Sequence, residues 1–348
     1  MPDPTSADGA REDGEDGEDG EGGEDTVTRT FVEHRELLFS IVYNMLGSVA
    51  DTEDVLQDTW VSWAARSRTR DADRIGHPRA YLVRIAVNKA LARHAAISRS
   101  RETYVGPWLP EPLVTPRTGV TVHGDAGDAA DAAELAESVS MALLVVLETL
   151  TPLERAVFVL HEVFGYAHPE TAAILGRSPS AVRQLAHRAS RHVQARRPRY
   201  RADPHLRQQV TERFAAAVSG GDLRMLLELL APDVTLWADG GGKAPAAGLR
   251  PVQGRDKVAR LLAKGTSRAP SALDIRYQRV NGDPSALLFD GDSLFAVLVV
   301  DLAPDSGQVC GIYFVTNPEK LRHLTPSGRE DVPEPPGQSR PGGGPASK

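Results

Sequence analysis

His168–Arg191 reads HPETAAILGRSPSAVRQLAHRASR. Glu170–Leu175 has the composition of a short helix, which Gly176 stops. Ser178 is an N-cap, and Pro179 occupies the first position of a second helix. That helix is apolar at Ala181, Val182, Leu185 and Ala189, near the helical period. Two helices meeting at a sharp angle need a small residue at the contact, a glycine at the turn and an apolar plug in the angle. Ala172, Gly176 and Val182, followed by Leu185, meet those needs and predict a helix-turn-helix. The polar face of the second helix carries Ser180, Arg183, Gln184, His187, Arg188 and Arg191. Arg and Gln form paired hydrogen bonds with base edges in a major groove. Arg196, Arg197, Arg199 and Arg201 follow, against Glu154, Glu162 and Glu170, so phosphate attraction is built in. The stretch is expected to bind DNA.

The overall charge points the other way until it is located. The 348 residues carry a formal net charge of −7. Met1–Asp25 is dominated by Asp, Glu and Gly with a single arginine, and holds more than that whole excess. Residues 1–26 are therefore expected to form a disordered acidic tail. It is either a solvated extension or a mimic of DNA that competes for the basic helix. Residues 323–348, rich in Pro and Gly, are expected to be a second disordered tail. With 41% hydrophobic residues, the chain has enough material for two or three cores. Cys310 is the single cysteine, which excludes an internal disulfide and a cysteine zinc site, and it is expected to be buried. No metal or cofactor is expected. The N-terminus is unlike a signal peptide and the longest apolar run, Leu294–Leu302, is too short for a bilayer, so a cytoplasmic protein away from membranes is expected.

Upstream of the quoted stretch, Thr28–Leu46 forms an apolar stripe through Phe31, Leu38, Ile41, Val42 and Met45, ended by Gly47. A second helix, about 51–66, uses Val55, Leu56, Trp60 and Trp63 on its apolar side. Asp51, Asp54, Gln57 and Asp58 lie on the other. An acidic helix start suits the macrodipole and accounts for Asp51, Glu53 and Asp54. Asp58 is left over, so this face is either a dock for a basic partner or a solvated surface. Arg66–His77 is a basic loop without an aromatic residue. Pro78 opens a helix to about Ser98, with Arg84 and Asn88 on one face and Arg93, His94, Arg99 and Arg101 at a basic end. The prolines of Gly106–Pro116 exclude regular structure and begin a linker. A helix over Glu134–Leu150 follows, then another capped by Thr151-Pro152.

ADTEDVLQDTWVSW, HPRAYLVRIAVNKAL and TPLERAVFVLHEVFGYAHPETAAILGRSPSAVRQLAHRA together resemble bacterial sigma factors of the extracytoplasmic-function group. WLPEP at Trp108, Leu109 and Pro110, DGGGK at Asp239, Gly240, Gly241, Gly242 and Lys243, and NPEKL at Asn317 and Lys320 are similar to the SigJ-type subgroup with a fused SnoaL-like domain. The resemblance covers about 27–324. It implies a multidomain fold: two all-α sigma domains, a region-two helical bundle (27–106) and a region-four helix-turn-helix (135–201), joined by a linker (107–134). An α+β SnoaL-like cone (204–322) follows. It also implies a non-enzymatic subunit that takes RNA polymerase core to promoter DNA and is regulated by its own C-terminal domain. Asp51, Glu53, Asp54, Gln57, Asp58 and Trp60 match the dock for the β′ clamp helices, and region four would meet the β flap. Arg84 and Asn88 match the part that captures a flipped base of the minus-ten element. Breaking stacking costs about 1.4 kcal/mol per step, so an extruded base needs a pocket. Arg183, Gln184, His187 and Arg188 would read the minus-thirty-five element. The WLPEP, DGGGK and NPEKL residues would carry the interdomain regulation.

The last third reads as helices Leu206–Ser219, Asp222–Ala231 and Asp256–Lys264. Strands are expected at Val234–Trp237, Ala272–Val280, Ala286–Phe289, Ser293–Asp301 and Val309–Thr316, antiparallel in the C-terminal run. Gly240–Lys243 is not a phosphate loop, since Trp237 and Ala244 replace its first glycine and its hydroxyl residue. A glycine loop packed on the sigma core is expected, with Lys243 meeting an acidic group. A pocket with an unknown ligand, or isomerase- or cyclase-like chemistry on Asp239 or Asp290, is the alternative for this domain. A stand-alone helix-turn-helix regulator is the alternative for the whole chain.

Overall fold

The computed structural model describes residues 19–67, 76–115, 139–196, 203–244, 248–265 and 273–324. Three long helices come first: α1 (Asp19–Leu46), α2 (Val49–Ser67) and α3 (Pro78–Arg101). Gly47, at φ +69°, turns α1 into α2. The expected tail is corrected here, because α1 begins at Asp19 and takes in residues 19–26. Residues 1–18, 68–75 of the basic loop, 116–138 of the linker and 325–348 of the second tail lie outside the described residues.

Next come α4 (Met141–Leu147) and α5 (Pro152–Phe158), then a π-helical turn at Val159–Val163, α6 (His168–Leu175) and α7 (Pro179–Arg196). The predicted helix over Glu134–Leu150 is shorter where described, because Ser140 caps α4 by accepting from the Leu143 amide. Thr151 caps α5 as the sequence predicts, and Glu154 completes a capping box with it. The apolar faces of α1–α3 and α4–α7 share one core, in which Leu38, Ile41 and Val87 join Leu144, Val157 and Leu175.

Helices α8 (Pro204–Gly220), α9 (Leu223–Leu229) and α10 (Arg255–Gly265) cover a seven-stranded sheet. Its strands are β1 (Val114–Thr115), β2 (Leu230–Asp239), β3 (Val252–Gln253), β4 (Leu273–Val280), β5 (Asp283–Asp290), β6 (Ser293–Leu302) and β7 (Val309–Val315). The order is β1-β4-β5-β6-β7-β2-β3. A short helix, α11 (Pro318–Leu321), and a 3-10 turn (Arg322–Leu324) close it.

Four expectations change. β2 lies parallel to β7, with Trp237 opposite Tyr313, so the sheet is mixed. The chain enters β2 at Leu230, which ends α9 before the predicted Ala231. The linker is not wholly irregular, since Val114 pairs with Val280 and Thr115 with Arg279, beyond the reach of the WLPEP prolines. Cys310 is half-buried rather than buried, on β7. A further core unites Leu109 of the linker, Met141 and Ala142 of α4, and Phe289, Val297 and Val315 of the sheet.

Candidate functional site

The helix-turn-helix has the predicted joints. Gly176 adopts φ +62° and the Arg177 amide donates to the Ala172 carbonyl at 3.0 Å. The Ser178 hydroxyl accepts from the Ala181 amide at 3.2 Å, starting α7. Val182, Ala186, Ala189 and Val193 are buried, which turns Ser180, Arg183, Gln184, His187, Arg188 and Arg191 outward, all exposed. The three nearby acids are committed locally. Glu154 caps α5 and meets Arg188 at 3.2 Å, Glu162 accepts from the Ser190 hydroxyl at 2.7 Å, and Glu170 accepts from the Ala167 amide at 2.7 Å.

On α2, Asp54, Gln57 and Asp58 are exposed, while Trp60 turns inward to meet Phe31 edge-on at 5.2 Å. Arg93 of α3 bridges Asp51 and Asp54 at 2.7 and 2.8 Å, and these carboxylates raise its pKa. Arg35 reaches both oxygens of Glu53. Such exposed pairs contribute about 0–1 kcal/mol each, so a basic partner can displace them. Arg84 and Asn88 share a face of α3, as predicted. The Asn88 amide donates to the Arg84 carbonyl at 2.7 Å and to the Ile174 carbonyl of α6 at 3.2 Å.

A buried polar cluster lies where Tyr104 and the WLPEP segment meet the sheet. Asp239, fully buried at the end of β2, accepts from the Tyr104 hydroxyl at 2.5 Å, the Leu109 amide at 2.8 Å and Lys320 Nζ at 2.7 Å. Lys320 also donates to the Leu109 carbonyl and sits 4.0 Å over the Trp108 ring. The buried ammonium is pushed down to about 8 by desolvation, against the pull of Asp239. Burial and Asp239 raise the Tyr104 pKa. The Asn317 side chain donates to the Tyr104 hydroxyl at 2.8 Å, and Lys243 pairs with Glu319. Both Asp239 oxygens are occupied inside protein, which removes it as a catalytic base, and Asp290 is exposed at the β5–β6 turn.

Comparison with known proteins agrees with this layout. Residues 30–100 match the Sigma-70 region 2 family and residues 140–193 the Sigma-70, region 4 family. The chain is 36% identical over 310 residues to the ECF RNA polymerase sigma factor SigJ of Mycobacterium tuberculosis, covering 85% of this chain and 95% of that protein. It belongs to the ECF RNA polymerase sigma factors. The probable sigma factor SigI of the same organism is 31% identical over 306 residues, covering 86% of this chain and 96% of its own. The crystal structure of M. tuberculosis SigJ superposes with a TM-score of 0.62 at 35% identity, covering 85% of this chain and 98% of that one.

As an ECF sigma factor the chain is a non-enzymatic initiation subunit that works with RNA polymerase core and promoter DNA. No described helix is long and apolar enough to cross a membrane. In sigma region two the acidic face and the Arg84–Asn88 face lie on different helices. In region four the exposed face of α7 is one continuous surface. Trp108, Leu109, Asp239, Asn317 and Lys320 meet in one cluster, with Gly241 against Asn317 and Lys243 on Glu319. Pro110 is buried beside it, and its Cβ lies 3.5 Å from a Cβ built on Gly47. Sequence reasoning missed Tyr104, Glu111 and Asn281. Glu111 accepts from the Ser48 hydroxyl and the Val49 amide at 3.0 and 2.7 Å, capping α2. Asn281, at φ +50°, donates to the Tyr43 hydroxyl at 2.8 Å. A glutamate inside a proline motif signals no helix cap, because the helix it caps lies 62 residues away in sequence.

Proposed function

We propose that α2 docks the chain on the β′ clamp helices, that Arg84 and Asn88 take the minus-ten strand, and that Arg183, Gln184, His187 and Arg188 read the minus-thirty-five duplex. The C-terminal domain regulates this by gripping the linker between the two sigma regions. The buried contact of Asp239 and Lys320 with Leu109 supports that reading best. It fastens the sheet to the one covalent connection between the readers, so movement of the domain alters their separation. The exposed carboxylates Asp54 and Asp58, a helical turn apart, support the docking role through complementarity with a basic partner.

The test is co-purification with core polymerase followed by run-off transcription on a genomic promoter library. Asp54→Lys with Asp58→Lys should abolish polymerase capture while circular dichroism stays unchanged. A stand-alone regulator would instead hold duplex DNA tightly without polymerase and ignore both changes.

A further inference from the structure

Strand β4 is poorly covered: of its residues only Val280 is buried, while Leu273 and Ile275 are half-buried and the rest exposed. One edge pairs with β5 along the whole strand, from Leu273 opposite Asp290 to Val280 opposite Asp283. On the other edge, β1 covers Arg279 and Val280 alone among the described residues. The Asn281 amide donates to the Leu113 carbonyl at 2.8 Å, which fixes the direction of the peptide groups along β4. In an antiparallel ladder without a bulge, every second residue points the same way. Leu273, Ile275 and Tyr277 therefore turn their N–H and C=O groups to the outer edge. Sheets usually protect such an edge with a proline, a bulge or charge. Leu273–Gln278 has neither proline nor bulge, and its charges are Asp274 and Arg276.

Those two charges complement a second copy of themselves. We propose that two chains associate through β4, antiparallel about a two-fold axis at Ile275, joining their C-terminal sheets into one. That axis sets Ile275 opposite the copy's Ile275, Leu273 opposite Tyr277, and Asp274 opposite Arg276. All three edge-facing residues then find backbone partners, each pair exchanging two hydrogen bonds. Apolar side chains meet on one face and opposite charges on the other, the pairings that favour a sheet. Other registers fail. An axis at Arg276 sets guanidinium against guanidinium and meets peptide groups that face β5. An axis at Tyr277 needs the edge of Arg279, which Thr115 occupies.

In the single chain Asp274 and Arg276 bridge each other at 2.8 Å, both about half exposed. An exposed pair contributes little, so exchanging it for the same pair across the axis carries little penalty. The Phe289 ring, 4.1 Å from the guanidinium carbon, holds Arg276 in place for that exchange. Tyr277 is 43% exposed, and the copy's Leu273 would take part of its ring out of water. None of the residues assigned above to polymerase or to DNA lies on β4. Strand pairing over so few residues makes a small interface, so the association is weak, on the order of tens of micromolar.

Sedimentation velocity of the full chain, from roughly 1 to 200 µM, brackets that affinity. The weight-average mass should climb from 37.5 kDa towards twice that value. Asp274→Arg sets cations against cations across the axis, and Arg276→Asp sets carboxylates against carboxylates. Each variant alone should stay single, with circular dichroism unchanged. Mixed in equal amounts the two should associate, and so should a chain carrying both Asp274→Arg and Arg276→Asp. Ile275→Cys with Cys310→Ser should form a disulfide between copies under mild oxidation, since a directly opposed pair brings Cα atoms to about 5.5 Å. A native chain that stays single throughout overturns the proposal, whether the edge is empty or taken by the chain's own residues 116–138. Association that survives both single reversals, or variants that do not associate on mixing, overturns it as well.

Discussion

Lys320 and Asp239 show what one buried pair demands of its surroundings. An ammonium and a carboxylate removed from water need several partners before the interaction breaks even. Tyr104, the Leu109 backbone and the Trp108 ring supply them. Asp239→Asn leaves Lys320 buried without its counter-charge, and should lower unfolding free energy by about 3–5 kcal/mol, read from urea midpoints. The pH dependence follows from Lys320, whose folded pKa of about 8 lies below its ordinary 10.5. Between those values the folded chain holds fewer protons than the unfolded one, so this contribution rises with pH from about 8 to 10.5 and is flat below. Urea midpoints of the native chain relative to Lys320→Met should therefore climb across that window. Gly241 is a second critical point: at φ +58°, a Cβ there would lie 2.4 Å from Asn317 Nδ2 and 3.0 Å from the Tyr104 hydroxyl. Gly241→Ala should break the Asn317–Tyr104 bond and cost about 1–3 kcal/mol, visible as a lower midpoint.

At the scale of elements, the linker is the least expected piece. Glu111 caps α2, its neighbours pair with β4, and Tyr43 donates to the Glu111 carbonyl at 2.5 Å. Glu111→Ala should destabilise by about 0.5–2 kcal/mol, the range for a lost helix cap, and Glu111→Gln by less, again from urea midpoints. The helices were legible because each carries its own signals: Gly47 after α1, Pro78 at α3, Thr151-Pro152 at α5, and Gly176 with Ser178 between α6 and α7. The outward face of α7 followed from the same period that buries Val182 and Ala189. The parallel pairing of β2 with β7 was not legible, since partner choice between strands about 75 residues apart leaves no local pattern. Nor was the commitment of Asn88 to Ile174, which depends on two motifs 86 residues apart in sequence meeting. Trp108, Asp239 and Lys320 were singled out together only because three short motifs resembled one subgroup. Spacing alone gave no reason to join them.

The cores of the whole molecule do not follow its sigma and C-terminal divisions. Met141 and Ala142 begin region four, yet they are buried with Leu109 against Phe289, Val297 and Val315 of the sheet. Removing everything beyond Arg201 therefore uncovers apolar surface on α4 and on the linker, and strips Lys320 from the Trp108 ring. Each buried apolar side chain contributes about 1.5–3 kcal/mol, a large share of the stability of a small domain. The shortened chain should bind more of an apolar dye such as ANS than the full chain. Its two sigma regions, still joined by residues 107–138, should separate more readily. A compact body of about 201 residues has a radius of gyration near 17 Å, whereas parted domains exceed about 20 Å despite the smaller mass. Small-angle scattering reads that difference directly. Promoter-dependent transcription should change with it, because the reader spacing is no longer set by the sheet. A shortened chain that stays near 17 Å, leaves the dye dark and transcribes as before would show that the C-terminal domain does not govern the linker.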